Sequence, residues 1–202
     1  MYDFVSCGTL TRTFCPGLFR NLLKTDNITG YKQYMNNPDD INDPIDIFSQ
    51  DHIIQSQMCD KLEMIADSLP GNVDQKLCSE VIQALVIDMP RHHRDEEEGL
   101  FPLLQARAKK DDNVDAHLSH LILEHETDEG FSDELVECLM DMSAGKKIDN
   151  PDMCGYMMRG FFENYRRHIH WEDSVLLPLA RKRLKKNDLD QLVSVLQKHR
   201  QA

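Results

Sequence analysis

The chain has 202 residues, is 41% hydrophobic and 29% charged, and carries a formal net charge of −12. That length makes one generous domain, or one domain with an arm, and the acidic balance argues against nucleic acid and anionic membrane as partners. No apolar run approaches the roughly eighteen residues of a membrane span, and the opening MYDFVSCGTLTRTFCPG has no basic start followed by an apolar stretch, so the expected location is the cytoplasm.

Residues 1–44 carry Gly8, Pro16, Gly17, Gly30, Pro38 and Pro44 and read as an irregular arm. From residue 45 to 202 the pattern is helical almost throughout, without the period-2 alternation of strands. A first helix runs from about Ile47 to Leu69 and stops at PGN. A second spans about Val73 to Lys109, with kinks expected at Pro90 and Pro102. The third covers about Val114 to Met142, and the fourth about Pro151 to Lys185 with Pro178 inside it. A short amphipathic helix, about Leu189 to His199, ends the chain. Long helices joined by short turns describe an all-α, antiparallel up-down-up-down four-helix bundle. Cys7, Cys15, Cys59, Cys78, Cys138 and Cys154 form no C-x-x-C pair. In a cytoplasmic chain of this size they are expected to be reduced, the last four as small core residues.

The second and fourth helices repeat each other. HHRDEEEGLFPLL laid over HIHWEDSVLLPLA brings His92 onto His168, Glu96 onto Glu172, Leu100 onto Leu176 and Pro102 onto Pro178, all at an offset of 76. On a helix, residues four apart share a face, so His92 with Glu96, and His168 with Glu172, point into the core. His93 is then expected on the flank or surface, and Glu97 and His170 in solvent. The other two helices each place one histidine on the apolar stripe, His52 and His125, each directly after an acidic residue, Asp51 or Glu124. The four histidines are spaced by 40, 33 and 43 residues, close to one helix down and back, so they return to one level.

A lone histidine on an apolar stripe is more often a satisfied core residue than a ligand. Two carboxylates beside it change the balance, because unpaired buried carboxylates are costly and repel each other. A metal supplies the missing charge. Four imidazoles and two bridging carboxylates suffice for two ions, each with two nitrogens, two oxygens and room for an outside ligand. Mixed nitrogen and oxygen ligation suits iron or manganese better than a closed structural zinc site, although spacing alone leaves zinc open.

DH at His52, HHRDEEEGLFP at His92 and Glu96, EH at His125, and HIHWEDSVLLP at His168 and Glu172 together resemble the hemerythrin-like, or HHE cation-binding, domain family. The resemblance covers about Asp46 to Lys186. It implies a bundle around a non-haem di-iron centre with bridging carboxylates and an oxo or hydroxo bridge, held by His52, His92, Glu96, His125, His168 and Glu172. Oxygen-carrying hemerythrins supply five histidines, two from the third helix, whereas here only His125 lies on that stripe. The four-histidine, two-glutamate set is more similar to bacterial repair-of-iron-centres proteins, but the adjacent cysteines usual in their N-terminal segments are absent here. The resemblance implies binding of O2, NO or a related small ligand for sensing, storage or scavenging. The alternative is redox or iron handling, such as peroxide reduction, Fe(II) oxidation or repair of damaged iron centres.

Overall fold

The computed structural model describes residues 43–201. The expected irregular arm, but for Asp43 and Pro44, lies outside the described residues, as do Cys7 and Cys15. Among the described residues every element is helical. Helix α1 (Ile45–Ser68) starts where the Asp43 carboxylate accepts the Ile45 N–H at 2.9 Å. It stops where Leu69 turns extended ahead of Pro70, the conformation that a following proline imposes. The second rod consists of α2 (Gln75–Gln83), α3 (Met89–Asp95) and α4 (Phe101–Arg107). Asp74 caps it, accepting from the Lys76 and Leu77 N–H groups. A short 3₁₀ turn (Lys110–Asp112) leads to α5 (Val114–Ser143). The fourth rod is α6 (Pro151–Trp171), capped by Asn150, followed by α7 (Leu177–Arg183), and α8 (Lys186–Gln201) closes the fold.

Just before Pro90 and Pro102, where kinks were expected, and before Pro178 inside the fourth rod, the backbone widens into π-helical turns: Ala84–Asp88, Glu96–Leu100 and Glu172–Leu176. In each, the residue just before proline (Met89, Phe101 or Leu177) donates its N–H five residues back, to the carbonyl of Ala84, Glu96 or Glu172. Proline brings no N–H and its ring collides with the carbonyl four residues earlier. A wider turn moves that carbonyl aside. The sequence repeat is therefore also a backbone repeat, with Glu96 and Glu172 each opening a π turn.

The helices pack in a ring, α1 against α2 and α6, and α5 against α2 and α6. Two apolar clusters divide the interior. One contains Phe48, Leu100, Leu118 and Leu177, the other Leu62, Leu85, Leu139 and Phe162. Each rod runs from one cluster to the other, in alternating directions, and its histidine lies between them. A polar layer is thus sealed above and below by apolar side chains. Helix α8 covers the second π turn at Gly99, where an added Cβ would stand 3.0 Å from Leu192 and 3.4 Å from Val195. No described helix is long and apolar enough to cross a membrane.

The reduced state expected for four core cysteines holds for Cys59 and Cys78, which are buried and free. Burial pushes their thiols up to about 12 and about 11. It does not hold for Cys138 and Cys154, which form a disulfide between α5 and α6 with a Cα–Cα distance of 6.4 Å. The antiparallel return of α6 along α5 brings the two within bridging range, a proximity that linear spacing does not display.

Candidate metal centre

Six side chains expected to face inward all do so. His52, His92, Glu96, His125, His168 and Glu172 are buried at the level between the two apolar clusters. They fall into two groups whose ligand atoms lie within 4.8 Å of one another: His52, His92, Glu96 and Glu172, and Glu96, His125, His168 and Glu172. Both carboxylates belong to both groups. His52 Nε2 stands 3.1 Å from Glu172 Oε2, and His92 Nε2 3.5 Å from Glu96 Oε2. On the other side His125 Nε2 lies 3.4 Å from Glu96 Oε2 and His168 Nε2 3.3 Å from Glu172 Oε1. These four nitrogens and all four carboxylate oxygens are buried without hydrogen-bond partners. Neighbouring ligands at about 2.1 Å from one ion stand roughly 3 Å apart when their bonds are at right angles. The donor set fits metal in chemistry and in spacing.

The family model described as the hemerythrin HHE cation binding domain matches residues 43–180. The chain belongs to the hemerythrin HHE family. No curated protein and no solved structure matches it.

In this hemerythrin domain the second ring nitrogen of each histidine faces an outer carboxylate. His52 Nδ1 donates to Asp173 Oδ1 at 2.7 Å, His125 Nδ1 to Glu97 Oε1 at 2.7 Å, and His168 Nδ1 to Glu124 Oε2 at 3.0 Å. His92 Nδ1 lies 3.6 Å from Asp51 Oδ2. Ionised carboxylates only accept, so they keep the proton on Nδ1 and leave Nε2 as the ligating atom. The pattern has an approximate two-fold relation. The acid before each lone histidine (Asp51, Glu124) serves the histidine of the neighbouring rod, and the acid after each inward glutamate (Glu97, Asp173) serves the lone histidine. Arg200 of α8 joins this shell, with Nη2 3.4 Å from Asp51 Oδ2 and Nη1 donating to Asp95 Oδ2 at 2.7 Å.

So many carboxylates control the protons of the layer. Burial alone would lower the His92 pKa, but Glu96 and Asp51 hold it up at about 10. Burial is likewise overcome at His125, raised to about 9 by Glu96 and Glu97, and at His168, raised to about 11 by Glu172 and Glu124. His52 is raised, Asp173 and Glu172 outweighing burial. Burial would push the Glu172 carboxyl up, but His168 beside it drives it well below the usual carboxylate range.

Glu97 is exposed, as expected, and its carboxylate nevertheless accepts from His125 Nδ1. His93, expected on the flank or surface, is buried, its ring stacked on His125 with centroids 3.9 Å apart and planes 5° apart. Burial and the neighbouring histidines push the His93 pKa well below its ordinary value. Tyr165 is fully buried, with its hydroxyl 3.5 Å from His93 Nε2. His170 is exposed, as expected. Met158 is buried in the core, whereas Met153 is exposed. The outer acids were visible as a pattern, one before each lone histidine and one after each inward glutamate, but their targets lie on other rods.

Proposed function

We propose that this protein is a non-haem di-iron protein that binds a small ligand such as O2 or NO reversibly. His52 and His92 would hold one ion, His125 and His168 the other, with Glu96 and Glu172 bridging the two. One observation carries the reading: both buried carboxylates are shared between two otherwise separate histidine pairs. A single ion would leave one pair of imidazoles idle. A mixed set of imidazole and carboxylate favours iron, or manganese, over a closed structural zinc site.

Bound iron supplies affinity for diatomic ligands and one-electron redox chemistry. The chain supplies the rest. The four Nε2 atoms and two carboxylates bind, while Asp173, Asp51, Glu97 and Glu124 fix ring orientation and hold the Nδ1 protons. Phe48 stands edge-on to His92 and Phe101 lies near-parallel to His125, both with centroids 6.0 Å away, and keep water from the layer.

The test is elemental analysis of protein made in iron-replete cells, followed by anaerobic reduction and exposure to O2. The expected result is two irons per chain and a charge-transfer band that reverses under vacuum. Absence of iron together with failure of the stripped protein to take up Fe(II) overturns the reading. Irreversible oxidation with repeated peroxide consumption replaces ligand binding by the redox alternative.

A further inference from the structure

The four outer acids differ in what lies beyond them. Asp173, Glu97 and Glu124 reach solvent, whereas the Asp51 side chain is only 6% exposed. Arg200, in the last turn of α8, stands against it. Its Nη2 lies 3.4 Å from Asp51 Oδ2, the oxygen that lies 3.6 Å from His92 Nδ1. The Arg200 side chain is itself buried, and its Nη1 donates to Asp95 Oδ2 at 2.7 Å. His199 beside it holds the same part of the second rod, with Nδ1 2.8 Å from Asp95 Oδ1 and Nε2 3.0 Å from Glu98 Oε2. Apolar contact completes the seat, with Leu192 and Leu196 buried and Leu192 close to Gly99 inside the Glu96–Leu100 turn. One helix therefore touches both the turn that Glu96 opens and the acid that faces His92. That helix (Lys186–Gln201) lies beyond residues 43–180, which the family model matches.

A guanidinium presents its N–H groups in a rigid fork, so anchoring one arm on Asp95 fixes the other against Asp51. The acid on the outer nitrogen of a ligating imidazole sets the orientation of the ring, and at His92 that acid is gripped in turn by α8. We propose that Arg200 is a positioning residue of the metal centre, setting the His92 ring through Asp51, so that seating of α8 and occupation of the ion position at His52 and His92 strengthen each other. This rests on the two-ion reading above. The coupling is reciprocal: the factor by which the seated helix raises affinity for that ion is the factor by which the bound ion favours the seated helix.

The test uses the full chain, stripped and reloaded anaerobically with ⁵⁷Fe(II), as wild type, Arg200→Met, Asp51→Asn, the double variant and Arg107→Met. Methionine keeps an apolar stem and removes the fork. Arg107 donates to Asp188 at the other end of α8, so its variant loosens the helix away from Asp51. Arg200→Met should bind one ion about 5-fold or more weakly and change the Mössbauer signal of one iron in two. Asp51→Asn should weaken the same ion by about 10- to 100-fold. The double variant should bind no more weakly than Asp51→Asn, because the arginine acts through the acid. Arg107→Met should leave both affinities as they are. Loading the wild type should slow hydrogen exchange at residues 196–200, and loading Arg200→Met should not. Wild-type affinities for both ions in Arg200→Met overturn the proposal, as do losses that multiply in the double variant. Equal weakening of both ions, an Arg107→Met variant that matches Arg200→Met, or exchange in α8 indifferent to metal overturns it as well. Each of these leaves the two-ion reading standing. A wild type that takes up no iron removes that reading and this proposal with it. Should Arg200→Met fail to fold, as judged by helical circular dichroism, Arg200→Gln decides by the same readings.

Discussion

Loading the metal-free protein with Fe(II) at pH 7 should expel protons, and the interior indicates how many. The imidazoles of His92, His125 and His168 sit at about 10, about 9 and about 11, so all three are protonated at neutral pH. His52 is raised as well. A metal ion needs the Nε2 lone pair, so each imidazolium must give up its proton on binding. About three protons per chain are therefore expected, and displacing each costs about 1.4 kcal/mol for every unit by which its pKa exceeds the working pH. With three protons displaced over the two ions, the overall constant for loading both should rise about a thousandfold per pH unit between about pH 7 and pH 8, and less steeply as His125 loses its proton near 9. Calorimetric titration of the stripped protein with Fe(II), in buffers of contrasting ionisation enthalpy, counts them directly. Release of less than one proton, or an affinity flat across that range, would refute this charge balance. The same shifts act on stability. Histidines whose folded pKa is raised above 6.5 stabilise fully below that pH and cease to do so as pH climbs through 9 to 11. The metal-free protein should accordingly lose thermal stability between pH 7 and 10.

Glu97→Gln keeps the shape but weakens the hold on His125 Nδ1, and should lower affinity for one ion by about 10- to 100-fold while sparing the other, read by stoichiometric titration. Pro178→Ala removes the reason for the turn at Glu172–Leu176. Metal affinity should fall without loss of thermal stability, and a variant that binds as the wild type would show that the π turn persists for other reasons. Leu62→Ala, fully buried in the apolar cluster on one side of the histidine layer, should cost about 2–5 kcal/mol in chemical denaturation and lower Tm by about 2–4 °C per kcal/mol.

Helical periodicity and one internal repeat carried the bundle, its order and six inward side chains. They failed at His93 for a physical reason. Aligning the repeat selects one line along a helix, yet α3 lies between two π turns and turns both His92 and His93 inward. Proline announced a break at Pro90 and Pro102, but a kink and a widened turn share that signal. Glu97 is solvated as its position suggested, and only its role was hidden, because the histidine it grips belongs to α5. The Cys138–Cys154 bridge was hidden for the same kind of reason, since it depends on how α6 returns along α5.

The outer acids have one more effect. The side chains of Asp173, Glu97 and Glu124 are 46%, 38% and 37% exposed, while the rings they hold are sealed inside. Each of these imidazoles thus has one nitrogen in the dry layer and the other one hydrogen bond from bulk water. Charge can then enter or leave the centre of the molecule by a hop through its wall, with no helix displaced and no channel opened.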